Sequence, residues 1–187
     1  MIERFQEIAT VPDAISVVGF ALALHGACRL NTPLGLAEAA VGRGLDVVDG
    51  YYARATGQTS EFGASLDATL DKFAGLAIVA SEWHKSIAPK PALIAILGQN
   101  IVNTVATAIA VKKYPDQVFA PSKAGKYAMA SQNLALAAYA QAELLQDSLP
   151  RTSQVMRQIG HVATIVGVGI FGTKATAGYI KRIQAAN

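Results

Sequence analysis

Charged residues are scarce in this sequence. Asp, Glu, Lys and Arg make up only 16% of its 187 residues, whereas roughly a quarter is usual in soluble domains. Hydrophobic residues make up 52%, and the mean hydropathy is +0.32. These values favour a membrane protein. A strongly apolar soluble helical bundle is the alternative, and the lengths of the apolar segments must decide between the two.

The sequence also has very little cysteine and no long run of like charge. Cys28 is the single cysteine, which excludes an internal disulfide and a metal site built from several cysteines. The formal net charge of +3 comes from scattered cations, so nucleic acid is not an expected partner. The N-terminus carries two acids before its apolar stretch and lacks a clear small-residue cleavage site. We therefore expect no removable signal peptide.

Apolar segments separated by proline, glycine or charge predict helices along most of the chain. The six segments are 14–28, 34–53, 64–83, 91–111, 124–146 and 155–179. The fourth holds no charged residue and has the length of about 20 residues that crosses the hydrocarbon layer. The sequence thus predicts an all-α fold in a single membrane-embedded domain, 1–187. A short amphipathic interfacial helix at 1–11 would precede a six-transmembrane-helix bundle at 12–187.

The distribution of lysine and arginine predicts the orientation of this bundle. If the N-terminus lies inside, more of these cations fall on the inner side than on the outer side, which follows the positive-inside tendency. We therefore expect a multi-pass integral membrane protein. The connection between the second and third helices would face the cytoplasm.

Four aspartates lie inside the second and third helices, where a charge is costly and by default marks a functional site. Asp46 and Asp49 are three residues apart, and Asp67 and Asp71 are four apart. Each pair therefore lies along one helix face. The short connection makes the two helices antiparallel neighbours, so the two carboxylate pairs would face and repel each other.

A pair of hard divalent cations with oxygen ligands would remove this repulsion, and Mg²⁺ or Mn²⁺ fits that requirement. The alternative is that the aspartates pair with the neighbouring cations Arg43, Arg54 and Lys72. Spacing alone leaves both interpretations open.

The aspartates belong to a longer pattern. It reads Asp46-x2-Asp49-Gly50-x2-Ala53-Arg54-x8-Gly63-x3-Asp67-x3-Asp71. In all eight fixed positions it resembles the signature of the CDP-alcohol phosphotransferases (CDP-alcohol phosphatidyltransferases). The motif covers residues 46–71, and the six helices extend the resemblance to most of the chain. It implies a six-helix membrane fold, a cytidine diphosphate donor of the CDP-diacylglycerol type, two divalent metal ions and usually a homodimer.

The resemblance also implies roles for individual residues. The ligands of two Mg²⁺ or Mn²⁺ ions would be Asp46, Asp49, Asp67 and Asp71. Asp71 would also be catalytic, as the general base that takes the acceptor's proton. The CDP donor would be bound by Asp49, Gly50, Arg54, Gly63 and Asp67. The glycines would let phosphates approach the backbone, and the planar guanidinium of arginine suits phosphate.

Two further segments resemble the family less closely. Pro12-Asp13-x2-Ser16 stands where many relatives show Pro-Asn-x2-Thr, and here we expect Asp13 to cap the first helix. The segment 122–126 resembles the start of the fifth helix in phosphatidylglycerophosphate synthases. Lys123 and Lys126 would there bind the phosphate of an acceptor, or they would anchor the helix at the membrane surface.

The expected function is transfer of a phosphatidyl-type group from a CDP-linked lipid to a small alcohol acceptor, with release of CMP, in phospholipid biosynthesis. Glycerol-3-phosphate is the first acceptor to consider, and inositol phosphate or another alcohol is the alternative. A membrane cation transporter is the rival from a different class, because intramembrane acids also mark ion paths. A non-catalytic scaffold that retains the fold is a second rival.

Overall fold

The fold consists of helices throughout the part of the chain that the structure describes. The computed structural model describes residues 10–58, 61–113 and 122–185. Its helices are α1 (Val11–Cys28), α2 (Pro33–Thr56), α3 (Glu61–His84), α4 (Lys90–Lys113), α5 (Lys123–Leu145), α6 (Pro150–Thr164) and α7 (Thr173–Ala185). A π-helical segment, Ile165–Gly172, joins α6 to α7 without a break. The all-α prediction is confirmed, and each predicted segment corresponds to one helical run. The amphipathic helix predicted at 1–11 falls mainly on residues 1–9, outside the described residues.

The chain divides into two compact units, residues 1–85 and 86–187. In the first unit, α1 packs closely along both α2 and α3, whereas the backbones of α2 and α3 pack much less closely on each other. In the second unit, α5 packs against α6 and the π-helical segment, and α4 packs against α7. The organisation of residues 1–187 as a single domain stays a prediction.

Short polar contacts determine where the first two helices begin and end. The backbone nitrogen and hydroxyl of Thr10 both donate to Asp13 Oδ2, at 2.9 and 2.7 Å, at the start of α1. The N-cap residue is therefore Thr10 and not Asp13 as predicted, but Asp13 takes part in the capping by accepting both bonds from the third position of the helix. The Thr32 hydroxyl accepts from the Gly35 nitrogen at 3.0 Å at the start of α2. Gly57, with φ of 69°, ends α2 in the left-handed conformation that glycine adopts readily.

Glycines allow α1 and α2 to cross with their backbones in contact. A Cβ atom on Gly26 would lie 2.9 Å from the Ala39 Cα and nearer still to the Ala39 nitrogen. One on Gly42 would meet the Ala23 backbone in the same way. Such small residues at helix crossings are typical of membrane proteins, where dispersion contacts between closely spaced backbones stabilise the pair. The crossing places the middle of α2 directly against α1.

Small residues and buried polar groups organise the second unit. The ring of Tyr139 on α5 is fully buried and occupies the space that a Cβ atom on Gly160 would need. The Gln99 amide nitrogen on α4 donates to the Gly172 carbonyl at 3.2 Å and to the Thr176 hydroxyl at 3.0 Å. The first of these bonds reaches the last residue of the π-helical segment, where the backbone pattern departs from that of an α-helix.

The outward surfaces of the helices are rich in large apolar side chains. In the part of the chain that the structure describes, three helical runs are long and apolar enough to cross a membrane: Val11–Cys28, Lys90–Ala110 and Pro150–Lys181. Helix α2 carries charges, yet its large apolar side chains Val41 and Val48 are at least half exposed while Asp49 is 2% exposed. This arrangement, with charge inside and apolar side chains outside, is the one expected in lipid. The count of six spans stays a prediction.

The close crossing of α1 and α2 leads to a stability prediction. Replacing Gly42 by alanine should lower the free energy of unfolding by about 1–3 kcal/mol, which is the usual effect of overpacking. The reason is that the new methyl group would collide with the α1 backbone at Ala23. An unfolding titration of the protein in detergent micelles measures this change.

Gly44 provides the matched control on the same helix. A Cβ atom there would have nothing within 4 Å, and alanine favours a helix over glycine. Gly44→Ala should therefore leave the stability unchanged or raise it. Equal stability of the two variants would contradict the close crossing.

Candidate functional site

The four aspartates of the sequence motif all lie in the first unit, on the facing sides of α2 and α3. Asp49 is almost completely buried, with 2% of its surface exposed. Asp46, Asp67 and Asp71 are half-buried. The two aspartates on α2 are three residues apart and those on α3 are four apart. Each pair therefore lies on one side of its helix, as predicted. Burial of this many acids requires partners or counter-charges.

The backbones of α2 and α3 do not pack closely, but the aspartate side chains of the two helices approach each other. Asp46 and Asp67 lie within hydrogen-bonding distance of each other. Asp49 and Asp71 are near enough to act on this pair electrostatically. The structure thus places the four predicted site carboxylates in one acidic cluster. Two carboxylates in contact repel unless they share a proton or a cation.

Arg43 enters the same cluster from α2. Its guanidinium Nη1 donates to Asp71 Oδ1, and both side chains are largely buried. The Arg43–Asp71 ion pair is therefore one of the pairings expected if cations, rather than metal ions, neutralise the aspartates. Among the described residues, neither Arg54 nor Lys72 forms an ion pair with an aspartate. One arginine leaves most of the negative charge of the four acids uncompensated.

Ser16 reaches the cluster from α1. Its hydroxyl contacts Asp49 Oδ2 and also lies 3.1 Å from the Pro12 carbonyl oxygen. The family-like segment Pro12-Asp13-x2-Ser16 drew attention to Ser16, but it did not predict the contact with Asp49, which lies 33 residues further along the chain. For Arg43 a signal was present, since it precedes Asp46 by three residues and so shares its helix face.

Some aspartate oxygens have no partner. Asp49 Oδ1 and Asp67 Oδ1 are buried and accept no hydrogen bond from the described residues. Carboxylate oxygens are the ligands that Mg²⁺ prefers, so these atoms fit a divalent cation. Among the described residues, no three Asp, Glu, His or Cys side chains are arranged so that they could hold a metal ion together. Ser16 and Arg43 each hold an oxygen of one of the four acids.

The residues predicted to bind the donor lie at the end of α2 and the start of α3. Arg54 is exposed and folds back over Gly50, where a Cβ atom would lie 3.3 Å from its guanidinium Nη1. Gly63 stands in the first turn of α3 and is half-buried. The accessible guanidinium of Arg54 is a group that a phosphate can use.

Lys123 and Lys126 belong to the second unit. Both are exposed in the first turns of α5, which begins with the Ser122 hydroxyl accepting from the Gly125 nitrogen at 3.1 Å. Both side chains are accessible to an anion or to the membrane surface, and this exposure does not distinguish the two predicted roles.

A fifth carboxylate is buried outside the cluster. Glu82 on α3 is fully buried, and neither of its oxygens has a hydrogen-bond partner among the described residues. It lies three helical turns beyond Asp71, a distance of about 16 Å along the helix axis. Glu82 is therefore too far along α3 to join the four aspartates.

Comparisons with known proteins identify a family and a relative. A family model described as CDP-alcohol phosphatidyltransferase matches residues 8–169. The chain is also similar to the archaetidylinositol phosphate synthase of Pyrococcus horikoshii, with 35% identity over 75 residues. This match covers 38% of the chain and 40% of that protein, so it spans well under half of the relative's length. No solved structure matches the chain.

The family match covers most of the chain and both compact units. Members of this family are membrane transferases of phospholipid biosynthesis and generally depend on divalent metal ions. The acidic cluster on α2 and α3 lies inside the matched region. The chain belongs to the CDP-alcohol phosphatidyltransferase family.

Proposed function

We propose that this protein transfers the phosphatidyl group of CDP-diacylglycerol to the hydroxyl of a phosphorylated alcohol and releases CMP. The observation that carries the proposal is the single cluster formed by the four motif aspartates of α2 and α3. A cation transporter would need intramembrane acids but not a glycine and an arginine at fixed positions beside them. The family itself consists of transferases, which favours the enzyme over both the transporter and the scaffold.

The reaction requires one bond to form and one to break. The acceptor's hydroxyl oxygen attacks the phosphorus that bears the diacylglycerol, and the bond from this phosphorus to the oxygen of CMP breaks. A new phosphodiester forms, and the hydroxyl proton leaves to a base. We assign this base to Asp71, because its Oδ1 accepts from Arg43 while its second oxygen remains to take a proton.

Divalent ions would be held by Asp46, Asp49, Asp67 and Asp71. When bound, such ions neutralise phosphate charge and stabilise the attacking and leaving oxygens. The unpartnered buried oxygens of Asp49 and Asp67 support this assignment. Mg²⁺ and Mn²⁺ both suit a site made of carboxylate oxygens.

The donor would lie over the end of α2 and the start of α3. In this assignment, Asp49, Gly50, Arg54, Gly63 and Asp67 form its binding site. The Arg54 guanidinium is exposed beside Gly50 and would pair with the diphosphate. Gly50 and Gly63 would leave room for the nucleotide at the backbone.

Two observations bear on the acceptor. The similarity to an archaetidylinositol phosphate synthase supports inositol phosphate. The lysines at the start of α5 and their likeness to phosphatidylglycerophosphate synthases support glycerol-3-phosphate. Both acceptors are phosphate monoesters, and exposed Lys123 and Lys126 would bind that phosphate. We further propose that the acidic cluster faces the cytoplasm and that the protein is a homodimer.

The first test measures CMP release by the purified protein with labelled CDP-diacylglycerol and a panel of acceptors. Release should require Mg²⁺ or Mn²⁺, should stop in excess EDTA and should return when the metal is restored. A phosphatidyl product should form with inositol phosphate or glycerol-3-phosphate rather than with unphosphorylated alcohols. Undiminished turnover in EDTA would contradict the metal-dependent mechanism, and ion flux without a lipid product would favour the transporter.

The second test replaces Asp71 by asparagine, which has the same size but cannot accept the hydroxyl proton. Loss of a general base should lower kcat by about 100-fold or more, while donor binding is partly retained. Asp46→Asn should instead weaken both metal and donor binding. The control is Asp147→Asn in the exposed turn after α5, which should leave kcat unchanged. A near-normal kcat in Asp71→Asn would refute its assignment as the base.

The third test concerns the acceptor. Lys123→Gln or Lys126→Gln should raise the KM for the phosphorylated acceptor roughly 10- to 100-fold, since a charged hydrogen bond contributes about 1.5–3 kcal/mol. The KM for CDP-diacylglycerol should barely change. Lys181→Gln, which removes an exposed cation on α7, is the control. An unchanged acceptor KM in both variants, with reduced membrane insertion, would indicate that these lysines are anchors.

A further inference from the structure

Arg43 is the cation nearest to the proposed chemistry, although it stands outside the eight fixed positions of the motif. It lies on α2 one turn before Asp46, and its guanidinium crosses to Asp71 on α3. The Arg43 side chain is 19% exposed and that of Asp71 is 15% exposed. A contact between two largely buried charges is screened little by solvent, so each strongly influences the position of the other.

A pocket adjoins this ion pair. Its walls include Arg43 and Asp71 themselves, together with Ser16, Phe20, Asp46 and Leu70. These walls combine polar and apolar side chains, and within them Arg43 and Asp71 are in direct contact. The guanidinium therefore lies beside Asp46 as well as Asp71.

The ion pair also determines which oxygen of Asp71 is available to bind a proton or a metal ion. Arg43 holds Oδ1, which leaves Oδ2 for a proton or a metal ion. Without the guanidinium, both oxygens of Asp71 would be free to turn toward the other three acids. The single positive charge of Arg43 also opposes the entry of further cations into the cluster, because like charges repel at short range.

We propose that Arg43 is a positioning residue that orients Asp71 for catalysis and at the same time weakens the binding of divalent cations to the acidic cluster. This inference rests on the proposed function, in which Asp71 is the base and the four aspartates hold the metal ions. It makes two opposite predictions for loss of the charge. Turnover should fall because Asp71 is no longer oriented, and metal affinity should rise because a repelling charge is gone.

The experiment compares Arg43→Gln, Arg43→Lys and wild-type protein in detergent micelles. Mn²⁺ binding is measured without donor, by the electron paramagnetic resonance signal of free Mn²⁺. In Arg43→Gln, the Kd for Mn²⁺ should fall at least about tenfold, since two charges on the metal meet one fewer opposing charge. The kcat for CMP release should fall at least about tenfold, in the range typical of a displaced base.

Arg43→Lys separates charge from geometry. Lysine keeps the positive charge but lacks the planar fork that fixes a carboxylate. Its Kd for Mn²⁺ should stay close to the wild-type value while kcat falls. This variant also keeps the proposal testable if Arg43→Gln does not fold. A wild-type kcat in Arg43→Lys would then overturn the positioning role.

Arg29→Gln is the matched control. Arg29 also faces a carboxylate in the first unit, with its Nη1 3.9 Å from Glu38 Oε1, but it lies at the other end of the α1–α2 pair. It should change neither the Kd for Mn²⁺ nor kcat. A purely structural Arg43 would lower the melting temperature in EDTA while Mn²⁺ affinity and kcat per folded molecule stay at wild-type values, and this result would overturn the proposal.

The Mn²⁺ measurement also separates this inference from the proposed function. If the wild-type protein binds Mn²⁺ but releases no CMP with any acceptor, the proposed function fails. The effect of Arg43→Gln on the Kd for Mn²⁺ then still decides the influence of the arginine on the cluster. Unchanged or weaker Mn²⁺ binding in Arg43→Gln, or no Mn²⁺ binding by the wild type, would refute the inference.

Discussion

The contact between the backbones of α1 and α2 is the constraint on which the acidic site depends. Gly26 and Gly42 leave no side chain between the two helices where they cross. Because α1 also packs along α3, it holds the two motif helices at a defined separation while their own backbones stay apart. The resulting space is occupied by carboxylates and by Arg43 rather than by apolar side chains. A larger residue at the crossing would therefore disturb the site as well as the packing.

The charges of the site are compatible with a membrane because they face inward. Asp49 is buried, whereas Val41, Val47 and Val48 on the same helix are at least half exposed. The mean hydropathy of a helix is low when the helix contains several charged residues. Its outward surface can nevertheless be apolar, because the charged side chains face the interior. This difference explains why, within the described residues, composition identifies three helical runs as candidate spans while other helices such as α2 also present apolar surfaces.

The residues with proposed functional roles are divided between the two compact units. The first unit holds the complete motif and the acidic cluster, which belong to the chemistry common to the family. The second unit holds Lys123 and Lys126, for which we propose contacts with the acceptor's phosphate. The similarity to an archaetidylinositol phosphate synthase covers 38% of the chain. This similarity does not decide between the two proposed acceptors, inositol phosphate and glycerol-3-phosphate.

The helices and most of the motif could be predicted from the sequence, because both depend on local spacing. Apolar segments of helical length, interrupted by proline, glycine and charge, gave the six helical runs to within a few residues at most boundaries. The π-helical segment was not predicted, since apolar periodicity alone does not distinguish its hydrogen-bond pattern from that of an α-helix. The sequence also indicated that Asp46 and Asp49 share one helix face and that Asp67 and Asp71 share another.

Contacts between distant residues could not be predicted in this way. Ser16 and Asp49 each lie in a segment that resembles the family, but no spacing in the sequence predicts their contact. The pairing of Arg43 with Asp71 was one of several that spacing allowed. The sequence by itself determined the helices, the inward-facing acids and the family motif, because these follow from periodicity and residue type along one segment. Only the tertiary structure decided which partner each acid has, because that depends on how closely α1 brings α2 and α3 together.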